Sequence, residues 1–270
     1  MAYNYFIPLI HLGPAPDYVF TQDLPLDAIK NLILGNYAKI EIIRKIILNN
    51  NKLYEKKEIL TFKSNKWLNK KSAFFRWGPP LEKKDFCYIE TQINLLKGVG
   101  FTSSSLPGFY VNYISSYRKN FMSCGVEKYG NPRVIMQMKE FGKWVDGYPA
   151  ISVNKSRQTT YSLIIINPYK ALNSFVIEIN SLKLKKTIKV PALSVKKINF
   201  YDLINREVWT GQFYIYGKRR AIIYLINHAF NDSNIISTLE HSDPFRAELT
   251  YLPRLQYLRH KIHKKIKAFF

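Results

Sequence analysis

The chain has 270 residues, and its 41 Lys and Arg against 19 Asp and Glu give a formal net charge of +22. This length supports one large or two ordinary domains with an ample core, which excludes a small scaffold held together by disulfides. The two cysteines, Cys87 and Cys124, form no disulfide framework and favour a reducing compartment. The positive charge is consistent with a polyanionic partner. A genome poor in G and C would also raise the Lys content, together with Ile, Asn, Tyr and Phe, so both explanations of the charge stay open.

The N-terminal residues predict a strap rather than a targeting signal. Residues 1–10 are apolar but lack the basic start and small-residue cleavage site of a signal peptide, so we expect a cytoplasmic protein. The loop from His11 to Asp23 contains Gly13, Pro14 and Pro16. An active-site loop has such a composition, but a strap that covers a sheet edge explains it more simply.

A helical segment is predicted next. Apolar residues at 26, 29, 32, 33, 40, 43, 46 and 47 follow a helical spacing. Gly35 weakens a helix by roughly 1 kcal/mol relative to Ala. The sequence therefore predicts either one continuous helix or a break at Gly35 followed by a second helix from Tyr37 to Leu48. The lysine-rich stretch 52–71 that follows is predicted to be a mobile, basic surface segment.

The central region, 81–147, is predicted to be rich in β-strands. Apolar runs at 86–93, 109–114 and 134–138 are separated by stretches rich in Gly, Pro and Ser, which supply turns. This region forms either a domain of its own or part of a larger sandwich with the strands that follow.

Residues 148–250 carry the clearest pattern, because short apolar and β-branched runs alternate with turn residues. The predicted strands are 161–167, 174–180, 187–190, 194–200, 211–216 and 220–227. The step Gly217-Lys218-Arg219 is predicted to be a hairpin between the last two. Such a series is typical of an antiparallel β-sandwich of immunoglobulin-like shape. We therefore predict a mainly β protein whose regions are 1–80, 81–147, 148–250 and 251–270.

The last 20 residues, 251–270, predict a basic amphipathic helix. Apolar residues recur at three- and four-residue steps, and cations fill other positions: Arg254, Arg259, Lys261, Lys264, Lys265 and Lys267. The helix either docks its apolar stripe on the protein body or lies on an anionic membrane surface. No apolar run approaches the ~18 residues of a transmembrane helix.

One polar cluster suggests a metal site. His241 and Asp243 have the His-x-Asp spacing that supplies two ligands of a facial iron site. The candidates for the third ligand are His228, His260, His263 and His11. A turn before Pro244 is the simpler explanation. The motifs of P-loop nucleotide-binding, zinc-protease and serine-hydrolase sites are missing from the sequence.

Aromatic and basic residues crowd the stretch from 109 to 148. The candidate binding residues are Tyr110, Tyr117, Arg118, Tyr129, Arg133, Trp144 and Tyr148. Rings beside cations and amides stack on sugars and on bases, although such rings also serve as core or cross-strand pairs. The leading prediction is a non-catalytic binding or accessory protein for a polar polymer, a glycan or anionic polysaccharide rather than nucleic acid, with no cofactor. The alternatives are a metal-dependent, iron-oxygenase-like enzyme and a membrane-peripheral structural subunit.

Overall fold

The computed structural model describes residues 2–9, 18–77, 87–99, 109–115, 121–126, 144–147, 150–157, 159–217, 222–229, 236–242 and 245–246. Antiparallel β-strands dominate these residues, and the helices among them are short. The prediction of a mainly β protein is therefore confirmed.

Nine strands occupy the first half of the chain, as far as the structure describes it. They are β1 (Ala2–Leu9), β2 (Tyr18–Asp23), β3 (Tyr37–Leu48), β4 (Asn51–Lys63), β5 (Lys66–Leu68), β6 (Phe74–Trp77), β7 (Cys87–Lys97), β8 (Phe109–Ser115) and β9 (Phe121–Val126). One helical turn, α1 (Leu26–Lys30), follows β2, and a 3-10 turn (Lys70–Ala73) precedes β6.

The described residues of the second half add eleven strands. They are β10 (Trp144–Gly147), β11 (Ile151–Asn154), β12 (Thr159–Asn167), β13 (Asn173–Ile179), β14 (Leu184–Val190), β15 (Ser194–Asn199), β16 (Val208–Gly211), β17 (Tyr214–Gly217), β18 (Ile222–Ala229), β19 (Ile236–Ser242) and β20 (Phe245–Arg246). A second short helix, α2 (Phe200–Leu203), follows β15, and a second 3-10 turn (Asn180–Leu182) follows β13.

These strands form four sheets. Sheet I has the order β1-β7-β3-β4-β5, and sheet II has the order β6-β2-β8-β9. Sheet III has the order β16-β11-β12-β18-β19, with β15 also paired to β12, and sheet IV has the order β14-β13-β17-β10-β20. Strand pairing crosses residue 80, since β1 pairs with β7 and β2 pairs with β8.

Sheet III is buried on both faces, which explains its continuous apolar strands. Leu163, Ile165 and Leu225 face a core shared with sheet IV. Ile164 and Tyr224 belong to the core that contains sheets I and II. Four small sheets in face-to-face succession make a propeller-like arrangement, rather than the two-layer sandwich of immunoglobulin-like shape predicted from the sequence.

The helix predicted from Tyr37 to Leu48 is wrong, because these residues form β3. Isoleucines are buried on both faces of this strand, so apolar residues appear at three- and four-residue steps as well as at two-residue steps. β-branched residues favour the extended conformation. Of the helical segment predicted near the N-terminus, α1 is the part that is helical, and the predicted mobile segment after β3 contains β4 and β5.

Most strands predicted in the second half are confirmed, and β7 and β8 match the predictions at 86–93 and 109–114. The hairpin predicted at 217–219 is wrong, because β17 pairs with β13 and β10 in sheet IV while β18 pairs with β12 and β19 in sheet III. The chain changes sheets at this step. The strand predicted at 134–138 and the C-terminal helix lie outside the described residues.

Candidate functional site

The outward surface of sheet II carries exposed aromatic rings beside polar groups. Alternate residues of its strands point inward, where Phe20, Phe75 and Tyr113 are buried in the core. The outward set, which we call the aromatic face, comprises Asp23, Phe74, Arg76, Tyr110 and Asn112. Three strands that are distant in sequence contribute to it.

The strand register arranges the aromatic face in two rows. In the first row, Phe74 of β6 lies opposite Asp23 of β2. On the other side of β2, Gln22 pairs with Val111 of β8, so the next position along the two strands places Tyr110 beside Asp23. In the second row, Thr21 lies between Arg76 and Asn112. The two aromatic positions are therefore two strand spacings apart, about 10 Å between their Cα atoms.

The rings of the aromatic face are more exposed than aromatic side chains usually are. Tyr110 is 70% exposed and Phe74 is 50% exposed. Ile114, which lies two residues beyond Asn112 on the same face of β8, is 37% exposed. Singly exposed apolar side chains are ordinary, whereas several on one face of a sheet indicate a binding surface. Together with the guanidinium of Arg76 and the carboxylate of Asp23, these rings provide stacking surfaces, a hydrogen-bond donor and an acceptor on one face.

Buried aromatic packing supports the aromatic face from below. The ring centroids of Phe20 and Tyr113 are 5.5 Å apart, and those of Phe20 and Phe75 are 6.4 Å apart, both with edge-on geometry. The hydroxyl of Tyr113 donates a 2.7 Å hydrogen bond to the carbonyl oxygen of Pro8. Sheet II is thus attached to the first strand of sheet I.

A buried arginine fixes the chain just before Phe74. Arg44 is fully buried, and its Nη1 and Nη2 donate to the carbonyl oxygens of Ser72 and Ala73 at 3.0 and 3.1 Å. Nη1 also contacts Oε2 of Glu58 at 2.9 Å. Burial lowers the pKa of Arg44 to about 10, and the charge of Glu58 opposes this shift. The side chain therefore stays charged at neutral pH.

The same arginine also binds the inner side of β2. Its Nε donates to Oε1 of Gln22 at 2.9 Å, and Nε2 of Gln22 donates to the hydroxyl of Thr91 at 3.0 Å. Gln22 precedes Asp23 in the chain, so the network holds both Asp23 and Phe74 from beneath. Such positioning keeps the two neighbours of the first row in a fixed relation.

The binding residues predicted from the sequence are only partly described. Tyr110 lies on the aromatic face, while the backbone of Trp144 belongs to β10 in sheet IV, opposite Gly217 and Arg246. The others, Tyr117, Arg118, Tyr129, Arg133 and Tyr148, lie outside the described residues. Tyr110 and Trp144 therefore belong to different sheets.

The predicted metal ligands lie on neighbouring strands. In backbone register, His241 is opposite Tyr224, and His228 is opposite Thr160. Asp243 lies outside the described residues. Among the residues that the structure does describe, no three His, Cys, Asp or Glu side chains form a group suited to a metal ion. The His-x-Asp site stays a prediction.

The cations predicted to contact a membrane or a polyanion, Arg254, Arg259, Lys261, Lys264, Lys265 and Lys267, also lie beyond the described part of the chain. In the part that is described, no helix has the length and apolar character needed to cross a membrane.

Four members of the aromatic face were missed by sequence reasoning. Asp23 was assigned to the end of the predicted strap, and Phe74 belonged to the predicted region 1–80 with no role in a site. The alternation in Phe74-Phe75-Arg76-Trp77 is a strand signal that would have placed Phe74 and Arg76 on one face. No family model, curated protein or solved structure matches the chain.

Proposed function

We propose that this chain is a non-catalytic binding or accessory protein that holds a polar polymer, a glycan, on the aromatic face. The observation that carries the proposal is the pair of exposed rings, Tyr110 and Phe74, which flank Asp23 on one face of sheet II. Supporting it, Arg76 of the second row adds an exposed hydrogen-bond donor to the same face.

The chemistry of this face suits a sugar chain. The C–H face of a sugar ring packs on an aromatic ring, while its hydroxyls need both donors and acceptors. Asp23 accepts and Arg76 donates, while the amide of Asn112 donates to the hydroxyl of Thr21 at 3.5 Å within the second row. Two rings about 10 Å apart allow contact with more than one residue of a polymer. Because one acid and one base lie in the two rows, the face has no strong preference for charge.

A glycan array tests this proposal. The probes are immobilised neutral and anionic glycans, and the wild-type chain is compared with the Phe74→Ala/Tyr110→Ala variant. Tyr37→Ala is the matched control, because Tyr37 is 41% exposed but lies on sheet I. We expect the wild type and Tyr37→Ala to share a set of bound glycans that the double variant loses. Equal binding by all three proteins, or binding by none, would contradict the proposal.

A further inference from the structure

Sheet I presents two outward rows of residues at the end where β3 begins. The first row crosses β7, β3, β4 and β5 and consists of Lys97, Lys39, Thr61 and Leu68. The second row crosses β3, β4 and β5 and consists of Tyr37, Lys63 and Lys66. The row between them, formed by Ala38, Phe62 and Trp67, is buried. Because side chains alternate between the two faces of a sheet, the first and second rows both face away from the core.

Two pairs of lysines lie directly opposite each other on these rows. Lys39 of β3 is opposite Lys97 of β7, and Lys63 of β4 is opposite Lys66 of β5. Lys39 is half-buried, and the other three lysines are exposed. Like charges in directly opposite positions of neighbouring strands destabilise a sheet. An anionic partner on this face would relieve the repulsion in both pairs.

Protection of a sheet edge does not account for these lysines. Charged side chains on an edge strand prevent pairing with other sheets, and Lys66 lies on the edge strand β5. Lys39, Lys63 and Lys97, however, lie on β3, β4 and β7, which have a paired strand on each side. Three of the four lysines therefore need another explanation.

The acid nearest to these lysines along β3 has other partners. Glu41 forms a salt bridge with Lys57 and accepts a 2.7 Å hydrogen bond from the amide of Asn94. These two hydrogen bonds are the main causes of the lowered pKa of Glu41, and the charge of Lys39 is the smallest cause. Between the residues that the structure describes, no salt bridge involves Lys39, Lys63, Lys66 or Lys97. Their positive charge is thus left for a partner.

Exposed leucines flank the lysines on both sides. Leu68 ends the first row on β5 and is 47% exposed. On β7, Leu96 is left unpaired by a β-bulge beside Lys97 and is 50% exposed. Leu34 is 70% exposed and borders the same strand, since its amide donates a 2.8 Å hydrogen bond to the carbonyl oxygen of Gly98. Three strand spacings, about 14 Å, separate β5 from β7.

We propose that this surface, the lysine–leucine face, binds the surface of an anionic lipid membrane. It consists of Lys39, Lys63, Lys66, Lys97, Leu34, Leu68 and Leu96. Lysines attract anionic headgroups, while exposed leucines enter the boundary between headgroups and acyl chains. The lysine–leucine face lies on sheet I, and its proposed role does not depend on the function proposed for the aromatic face.

The arrangement favours a membrane over other anionic partners. A protein interface has an apolar centre, a polar rim and few lysines, whereas here the lysines are central and the leucines are peripheral. Single-stranded nucleic acids depend on stacking with aromatic rings. The ring of Tyr37 in the second row is covered by Lys97, whose Nζ lies 5.6 Å from its centroid. Leucines also offer no hydrogen bonds to a sugar chain or a base.

The test is co-sedimentation of the full chain with vesicles of phosphatidylcholine, with and without phosphatidylserine. The charge variant is Lys63→Gln/Lys66→Gln/Lys97→Gln, and its control is Lys170→Gln/Lys186→Gln/Lys189→Gln, which removes three exposed lysines on or near sheet IV. The leucine variant is Leu34→Ser/Leu68→Ser/Leu96→Ser. Its control is Leu53→Ser/Leu172→Ser/Val208→Ser, at side chains that are 49%, 57% and 60% exposed elsewhere. Circular dichroism verifies that all four variants are folded.

We expect the wild type to bind the vesicles that contain phosphatidylserine, and to bind them less as salt is added. Each lysine near an anionic surface contributes about fivefold, so the charge variant should bind roughly a hundredfold more weakly than its control. The leucine variant should bind at least about tenfold more weakly than its control, because it loses the apolar contacts with the acyl chains.

Three results would overturn the proposal. The first is a wild type that ignores the anionic vesicles or binds neutral vesicles equally well. The second is a charge variant that binds as tightly as its control, which would place any membrane contact elsewhere on the chain. The third is a leucine variant that matches its control while the charge variant fails to bind, which would indicate a soluble polyanion rather than a membrane.

Discussion

The hydroxyl of Tyr224 donates a 2.7 Å hydrogen bond to the carbonyl oxygen of Phe6, a residue 218 positions earlier in the chain. This bond joins sheet III to the first strand of sheet I, inside a core to which both sheets contribute. A second link between the halves is the hydrogen bond that the backbone amide of Asn50 donates to the carbonyl oxygen of Leu193 at 3.0 Å. The two halves of the chain are thus connected through a shared core and by hydrogen bonds.

Tyr224→Phe should lower the stability of the whole protein by about 1–2 kcal/mol, because it removes a buried hydrogen bond and leaves the ring in place. Urea unfolding followed by circular dichroism and by tryptophan fluorescence measures the effect. We expect coincident transitions that shift together. Tyr113→Phe is the matched variant, since its hydroxyl bond to Pro8 has the same length and stays within the first half. Two separate transitions, with Tyr113→Phe moving only one, would indicate independent domains.

Arg44→Met should cost about 3 kcal/mol or more, because the carbonyl oxygens of Ser72 and Ala73 and the amide oxygen of Gln22 lose their donor, although Glu58 keeps its pair with Lys56. Lys57→Met is the control on the same sheet, since Lys57 is 62% exposed and its pair with Glu41 is worth at most about 1 kcal/mol. Thermal unfolding measures both variants. Similar losses in the two variants would show that the buried network has no special importance.

Gly98→Ala should be far more harmful than Gly35→Ala, although both glycines have positive φ, +72° and +81°. A Cβ atom at Gly98 would lie 1.9 Å from the carbonyl oxygen of Tyr37, whereas one at Gly35 would meet nothing within 4 Å. We expect a loss of about 1–2 kcal/mol at Gly35 from backbone strain alone, and of about 3 kcal/mol or more at Gly98. Denaturant midpoints measure the difference, and equal midpoints would contradict the packing at Gly98.

Glu90→Gln should increase stability at neutral pH. Burial raises the pKa of Glu90 above its ordinary value of 4.5, and Lys45 opposes this shift. The folded state therefore favours the protonated form, and the wild type loses stability as the pH rises from about 4.5 through the raised pKa. The variant lacks this loss, so its advantage should appear near pH 7 and vanish near pH 4.

Glu55→Gln is the control for this pH effect, because the hydrogen bond from Lys52 lowers the pKa of Glu55. Its substitution should give no gain near pH 7. Thermal midpoints measured between pH 4 and pH 8 provide the comparison. An advantage of Glu90→Gln that is the same at every pH would contradict the account of Glu90.

The sequence predicted the strands of the second half because β12, β13 and β18 combine β-branched residues with clear turn residues. It failed at β3, where burial on both faces hides the two-residue period. It also failed at 217–219, since a short connection suggests local pairing but β17 and β18 enter different sheets. Of the aromatic face, only Tyr110 was predicted from the sequence. The other members include residues of β2 and β6, which are distant from Tyr110 in the chain. Local sequence patterns carry no information on how such distant strands pair.

Calorimetric titration of one array-selected glycan tests the central proposal most directly. Phe74→Ala, Tyr110→Ala and their double variant are compared with the wild type and with Tyr37→Ala. A stacked ring contributes about 1.4 kcal/mol, so each single variant should bind roughly tenfold more weakly and the double variant about a hundredfold more weakly. Tyr37→Ala should match the wild type. Unchanged affinity in the double variant would contradict the assignment of the aromatic face as the binding site.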